Sequence, residues 1–141
     1  MKMPVRTLHR AWRSQSGATA VEFALVCLPL FLLVLGVIEF GRAFYVRNDL
    51  SYAADVAARQ VLIGKIARDA PDSEAQTKLA SAVRDNFDGG DPGLLEIAVT
   101  KQTVDGIDFR VLSIRYPFAF FLPGLAEAPF SLALSRRIPI G

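Results

Sequence analysis

The chain has 141 residues, 52% of them hydrophobic, with 16 Lys and Arg against 14 Asp and Glu. Four of the basic residues (Lys2, Arg6, Arg10, Arg13) precede Gly17 with no acid among them, so the remainder is slightly acidic and offers no nucleic-acid face. The lone Cys27 excludes an internal disulfide and reads as a small hydrophobe within an apolar run, and a single His (His9) excludes the usual His-based metal clusters.

After the basic leader, Phe23 to Ile38 reads FALVCLPLFLLVLGVI, with no charge between Glu22 and Glu39. As a helix this run rises roughly 24 Å, short of a hydrocarbon core of about 30 Å, whereas residues 18–41 rise roughly 36 Å and span it with Glu22 and Glu39 near opposite interfaces. The chain is too small to wrap such a run on all sides, so the pattern predicts a transmembrane segment over 18–41. The positive cluster before it predicts a cytoplasmic N-terminus and an outward-facing C-terminal portion. The rival is a cleaved secretory signal, but Glu39, Phe40, Gly41 and Arg42 make a poor small-residue cleavage site and the helical pattern continues past them. Pro29 removes an intrahelical hydrogen bond and is expected to bend the helix. Gly36 and Gly41 are five apart, outside the four-residue close-packing spacing, and Gly36 reads as helix filler.

Residues 42–64 predict an amphipathic extension of the same helix. Phe44, Val46, Leu50, Ala53, Ala54, Ala57, Val61 and Leu62 form the apolar side, and Arg47, Asp55 and Arg59 the polar one. Glu39 with Arg42 (i,i+3) and Asp55 with Arg59 (i,i+4) are spaced to pair along the helix, the first at the depth where the span ends. The small residues of YAADVAARQ suit close contact with the protein's own sheet or with neighbouring copies, and equally suit helix propensity alone. Gly64 is the first stop signal, so one helix is expected from Ala18 to about Ile63, roughly 69 Å long.

Residues 65–141 predict a small outer α+β domain. Glu74 to Asn86 is helix-like, with Leu79, Ala82, Val83 and Phe87 as its apolar stripe. The loop NFDGGDPG lacks the ligand pattern and closing glutamate of a calcium loop and reads as a surface turn. Leu95, Ile97 and Val99 alternate with Glu96, Ala98 and Thr100; Asp105-Gly106 is a hairpin turn; Ile107, Phe109 and Val111 then alternate with Asp108 and Arg110. A last strand runs from about Phe130 to Ile138, with Pro117, Pro123 and Pro129 bounding the loop before it. The stretch FAFFLPGL, Phe118 to Leu125, is unusually apolar for a loop and suits a core cap, a membrane contact or a partner surface. With no histidine beyond the leader, no positioned nucleophile, no paired acids and no phosphate loop, the sequence carries no catalytic or cofactor signature.

The block GATAVEFALVCLPLFLLVLGVIEFGRAFYVRNDLSYAADVAARQ closely resembles the N-terminal signature of TadE-like proteins, pseudopilins of the tight-adherence (Flp) pilus assembly system. The resemblance is dense over about Arg13 to Gly64 and returns weakly in VLSIRYPFAFFLPGL, where such proteins often have a strand followed by Tyr-Pro and Leu-Pro turns. It implies a pilin-like fold: a long membrane-spanning helix continuing outside the membrane, then a short helix and a small three-stranded antiparallel sheet. It also implies a prepilin-type leader, residues 1–17, cut by a membrane aspartic peptidase between Gly17 and Ala18, which makes Glu22 the fifth residue of the mature chain. The new Ala18 ammonium and the Glu22 carboxylate, each costly at the membrane edge, are cheaper together within one chain or across two packed helices. Glu39 and Arg42 recur in the family pattern and read as anchoring or partner contacts. The implied partners are the prepilin peptidase, other pilin-like subunits, pilus assembly proteins and the lipid bilayer. The resemblance leaves TadF-like and TadG-like roles open, and an uncleaved single-span anchor presenting a partner-binding domain is the alternative.

Overall fold

The computed structural model describes residues 15–121 and 130–140. The expectations for the leader's four basic residues, for His9 and for Pro123, Leu125 and Pro129 of the apolar loop lie outside the described residues. The elements are α1 (Gln15–Leu62), α2 (Asp72–Arg84), a 3-10 turn at Pro92–Leu94, β1 (Glu96–Val104), β2 (Ile107–Phe118) and β3 (Phe130–Pro139). Two compact units divide between Phe40 and Gly41.

The first unit is the apolar stretch of α1. The helix Gly17–Leu62 holds an 18-residue window of mean hydropathy 2.7, none of it buried, with Phe23, Leu25, Val26, Phe31 and Leu33 all 60% or more exposed. Its apolar side chains are exposed on every side, and the helix is long and apolar enough to cross a membrane. The helix is continuous through Pro29 and on past Arg42 and Arg59, as its composition predicts.

The second unit is α+β. Here α1 becomes one-sided: Val46, Leu50, Ala53, Ala54, Ala57 and Val61 are 5% exposed or less. These residues share a buried cluster with Leu79 and Val83 of α2 and with Leu112, Ile114, Leu132 and Ile138 of the sheet. Three of the four alanines of YAADVAARQ, Ala53, Ala54 and Ala57, are therefore core residues of the protein's own domain, and Ala58 packs against them. Phe44 (59% exposed) and Leu62 (49%) fall outside the core, contrary to the sequence expectation, because they lie off the arc defined by Val46, Leu50 and Val61. Helix α1 stops at Leu62, and Gly64 takes φ +78°, a conformation that β-carbon sterics deny to most residues. Helix α2 begins two residues before its expected start, directly after Pro71.

The sheet is antiparallel in the order β1-β2-β3. Its first turn is Asp105-Gly106 with φ 51° and 79°, the paired positive values that a two-residue hairpin needs. This turn sets Val104 opposite Ile107, and hence Ile97 opposite Ile114 and Val99 opposite Leu112. The inner face of β2 is then Arg110, Leu112, Ile114, Tyr116 and Phe118, all buried. Ile107 and Phe109, which alternate with Asp108 and Arg110 in the sequence, lie on the other face together with Val111 (9% exposed), whereas Arg110 is 3% exposed. Pro117, expected to open a loop, is the penultimate residue of β2 and pairs with Ser131. Strand β1 begins at Glu96 opposite Arg115, so on that side Pro117 faces no ladder partner and its missing N–H leaves no gap. The free edge of β1 is covered by Gln76 of α2, whose Nε2 donates to the Ile97 carbonyl (2.8 Å) while its Oε1 accepts from Val99 N–H (2.7 Å).

Candidate assembly site on the long helix

Gly17, Ala18 and Glu22 lie in the first turns of α1 and are exposed. Ala18 and Glu22 are four apart and share a helix face, so a charge on either is within reach of the other. The Gly17–Ala18 peptide lies within α1, near its first described turn. Glu39 lies roughly 26 Å farther along the helix axis. At 3% exposure it is, with Arg110, one of two buried charged residues among the described residues. Carboxylates are rarely so enclosed, which marks Glu39 as a constrained position.

Arg42 belongs to the second unit and is half-buried there. Its Nη2 donates to the Ala119 carbonyl (2.9 Å), and its guanidinium lies over the Phe121 ring at 3.9 Å and the Phe118 ring at 4.8 Å. Phe118, Phe120 and Phe130 pack edge-on or tilted around the same point, with centroids 5.3 to 6.3 Å apart. The apolar stretch that begins at Phe118 therefore caps the core with Phe118, 5% exposed, and turns Phe121 outward, 72% exposed. Arg42 acts as a cationic plate between rings, a use of Arg that favours its flat, weakly hydrated group over Lys. The sequence spacing sets Arg42 beside Glu39 on the helix, and nothing in its periodicity announces this stack.

Asp49, counted in the sequence only as charge, organises the loop after α2. Its Oδ2 accepts the N–H groups of Asp88 (2.8 Å) and Gly89 (2.7 Å), and the Tyr116 hydroxyl accepts from Asp91 N–H (3.2 Å). A β-carbon at Gly90 would collide with the Tyr116 hydroxyl, so glycine is required there by close approach. Asp55 meets Arg136 of β3 at 2.5 Å instead of Arg59, tying α1 to the sheet. Among the described residues no group of three or more His, Cys, Asp or Glu is placed to hold a metal ion. A depression on the outer face of the sheet is lined by Glu96, Ala98, Ser113, Arg115, Ala133 and Ser135.

Residues 17–59, which hold Ala18, Glu22, Glu39 and Arg42, match the family model described as TadE-like protein. No curated protein and no solved structure matches the chain.

Proposed function

We propose, from the TadE-like match over residues 17–59, that this chain is a pseudopilin-like structural subunit for assembly of the tight-adherence (Flp) pilus. The carrying observation is that this match begins at Gly17, the residue after which a prepilin peptidase would cut, and lies within α1. Cleavage between Gly17 and Ala18 creates an ammonium four residues from Glu22. That pair, formed within one chain or between two packed helices, guides docking of α1 among other pilin-like subunits and pilus assembly proteins. Pro29 bends the span, and Glu39 and Arg42 set the depth at which it ends. The role is structural rather than catalytic.

Residues 1–17 are the leader, 18–41 the transmembrane segment, 42–64 the helix extension and 65–141 the periplasmic domain. The basic leader keeps the N-terminus in the cytoplasm of a bacterial inner membrane. The outward arc of the extension, where Tyr45, Tyr52 and Ile63 are each about 60% exposed, is the surface left for neighbouring subunits.

The test is crosslinking to co-expressed pilus components in cells that process the leader. Glu22→Ala and Glu22→Gln are expected to be cleaved normally and to lose crosslinks and pili. Normal crosslinks and pili in both variants would refute the ammonium–carboxylate role.

A further inference from the structure

We propose that Arg42, Phe121 and Phe130 form a membrane foot, a second and non-covalent contact of the outer domain with the lipid surface. The inference rests on reading the apolar stretch of α1 as a membrane span.

Exposure of the four rings is graded. Phe118 is 5% exposed and belongs to the core, Phe120 is half-buried, Phe130 is 44% exposed and Phe121 is 72% exposed. The series leads from the domain interior to its surface at one place, the junction of β2 and β3. Soluble domains seldom leave contiguous aromatic surface uncovered. Two further rings, Phe44 (59%) and Tyr45 (60%), are exposed on α1 within three residues of Arg42.

The occupant is set by chemistry and by continuity. Arg42 follows Phe40, the last apolar residue of the span, by two positions in the sequence, so it sits where the chain leaves the hydrocarbon. An aromatic cluster with an arginine among its rings suits that zone: rings enter the acyl boundary while the guanidinium stays among phosphates. The Ala119 carbonyl and the two rings hold Arg42 in place, so the site is built before lipid arrives.

Depth-dependent fluorescence quenching tests this with the full chain in phosphatidylcholine–phosphatidylglycerol vesicles, using lipids brominated near the headgroup or near the chain end. Trp12 is the only tryptophan and is replaced by Phe, giving a background for single probes at Phe121→Trp, Phe130→Trp, Tyr52→Trp and Phe31→Trp. Tyr52 lies roughly 15 Å along α1 from Arg42 and serves as the solvent control. The expected result is that the Phe121 and Phe130 probes lose most of their emission to shallow bromines and little to deep ones. The Phe31 probe should be quenched by deep bromines, and the Tyr52 probe by neither. Unquenched Phe121 and Phe130 probes beside a quenched Phe31 probe would overturn the foot and leave the span intact. Blue-shifted, unquenched emission that grows with protein density would assign the patch to a second copy, and also overturns it. An unquenched Phe31 probe would overturn the span reading itself.

Discussion

The Asp49 carboxylate on α1 receives the backbone N–H of Gly89 at 2.7 Å and that of the preceding Asp88 at 2.8 Å. One oxygen thus fixes a loop forty residues away in sequence, and the loop carries the chain from α2 into the sheet. Charge-assisted bonds of this kind are among the stronger local ties, so Asp49→Ala is expected to destabilise the outer domain by about 2 kcal/mol. Asp49→Asn, which keeps an acceptor oxygen without the charge, should lose less. Chemical denaturation of the full chain in detergent, followed by far-ultraviolet circular dichroism, measures both.

The same loop predicts a steric pair. Gly90→Ala sets a methyl group against the Tyr116 hydroxyl and should cost about 1–3 kcal/mol, as overpacking does elsewhere. Adding Tyr116→Phe removes the hydroxyl and should recover part of that loss, although alone it forfeits the bond from Asp91 N–H. A double-mutant cycle with no coupling would show that the two groups are not in contact.

Arg110 supplies the third prediction. Its Nη2 donates to the carbonyls of Ala70 and Arg68, holding the connection between α1 and α2 against β2, while its Nε and Nη1 lack hydrogen-bond partners. Asp72 approaches Nη1 only to 3.9 Å and is 77% exposed. Arg110→Lys keeps the charge and loses the fork, and should cost about 1–3 kcal/mol through unsatisfied buried carbonyls. Asp72→Asn, at an exposed carboxylate 3.9 Å from the guanidinium, should change stability by less than about 1 kcal/mol. If thermal unfolding ranks the two the other way, the ion pair rather than the carbonyl contacts holds this connection.

Asp108 gives a pH prediction. The Thr103 hydroxyl donates to its Oδ1 at 2.6 Å and the Lys101 ammonium meets its Oδ2 at 2.9 Å; these favour the ionised form and hold its pKa below the ordinary 3.8. A depressed folded-state pKa contributes stability that is present above the unfolded pKa and lost as pH falls through the folded one. The loss therefore belongs below about pH 4 and is small at so exposed a site. NMR titration should place the Asp108 midpoint below 3.8, and Thr103→Val should raise it. An unchanged midpoint in that variant would remove the Thr103 bond as the leading cause.

Much of the fold was readable because local signals agreed. The charge-free run from Phe23 to Ile38, the helical composition continuing to Leu62, and Asp105-Gly106 each name one structure. The inner face of β2 is less plain, because Ile107, Phe109 and Val111 alternate as a core strand would, yet Ile107 is 46% exposed. The two-residue turn overrides that pattern by pairing Val104 with Ile107, which puts Leu112 and Ile114 inside. That signal was in the sequence and went unused. The Arg42 stack and the Asp49 loop contacts were not legible, because each joins residues about forty to eighty positions apart and neither has a periodicity. The Gly-Gly pair was the only hint of close approach.

The central claim is that α1 becomes a mature pseudopilin helix at Gly17, and the identity of the first residue tests it most directly. Intact-mass measurement of protein extracted from membranes of cells with active prepilin peptidase should find a chain beginning at Ala18, with or without N-methylation, and lighter by the 17-residue leader. Gly17→Leu should retain the leader, since a branched side chain then stands at the bond that glycine leaves open. A wild-type chain that keeps its leader under those conditions would contradict the account and favour an uncleaved single-span anchor.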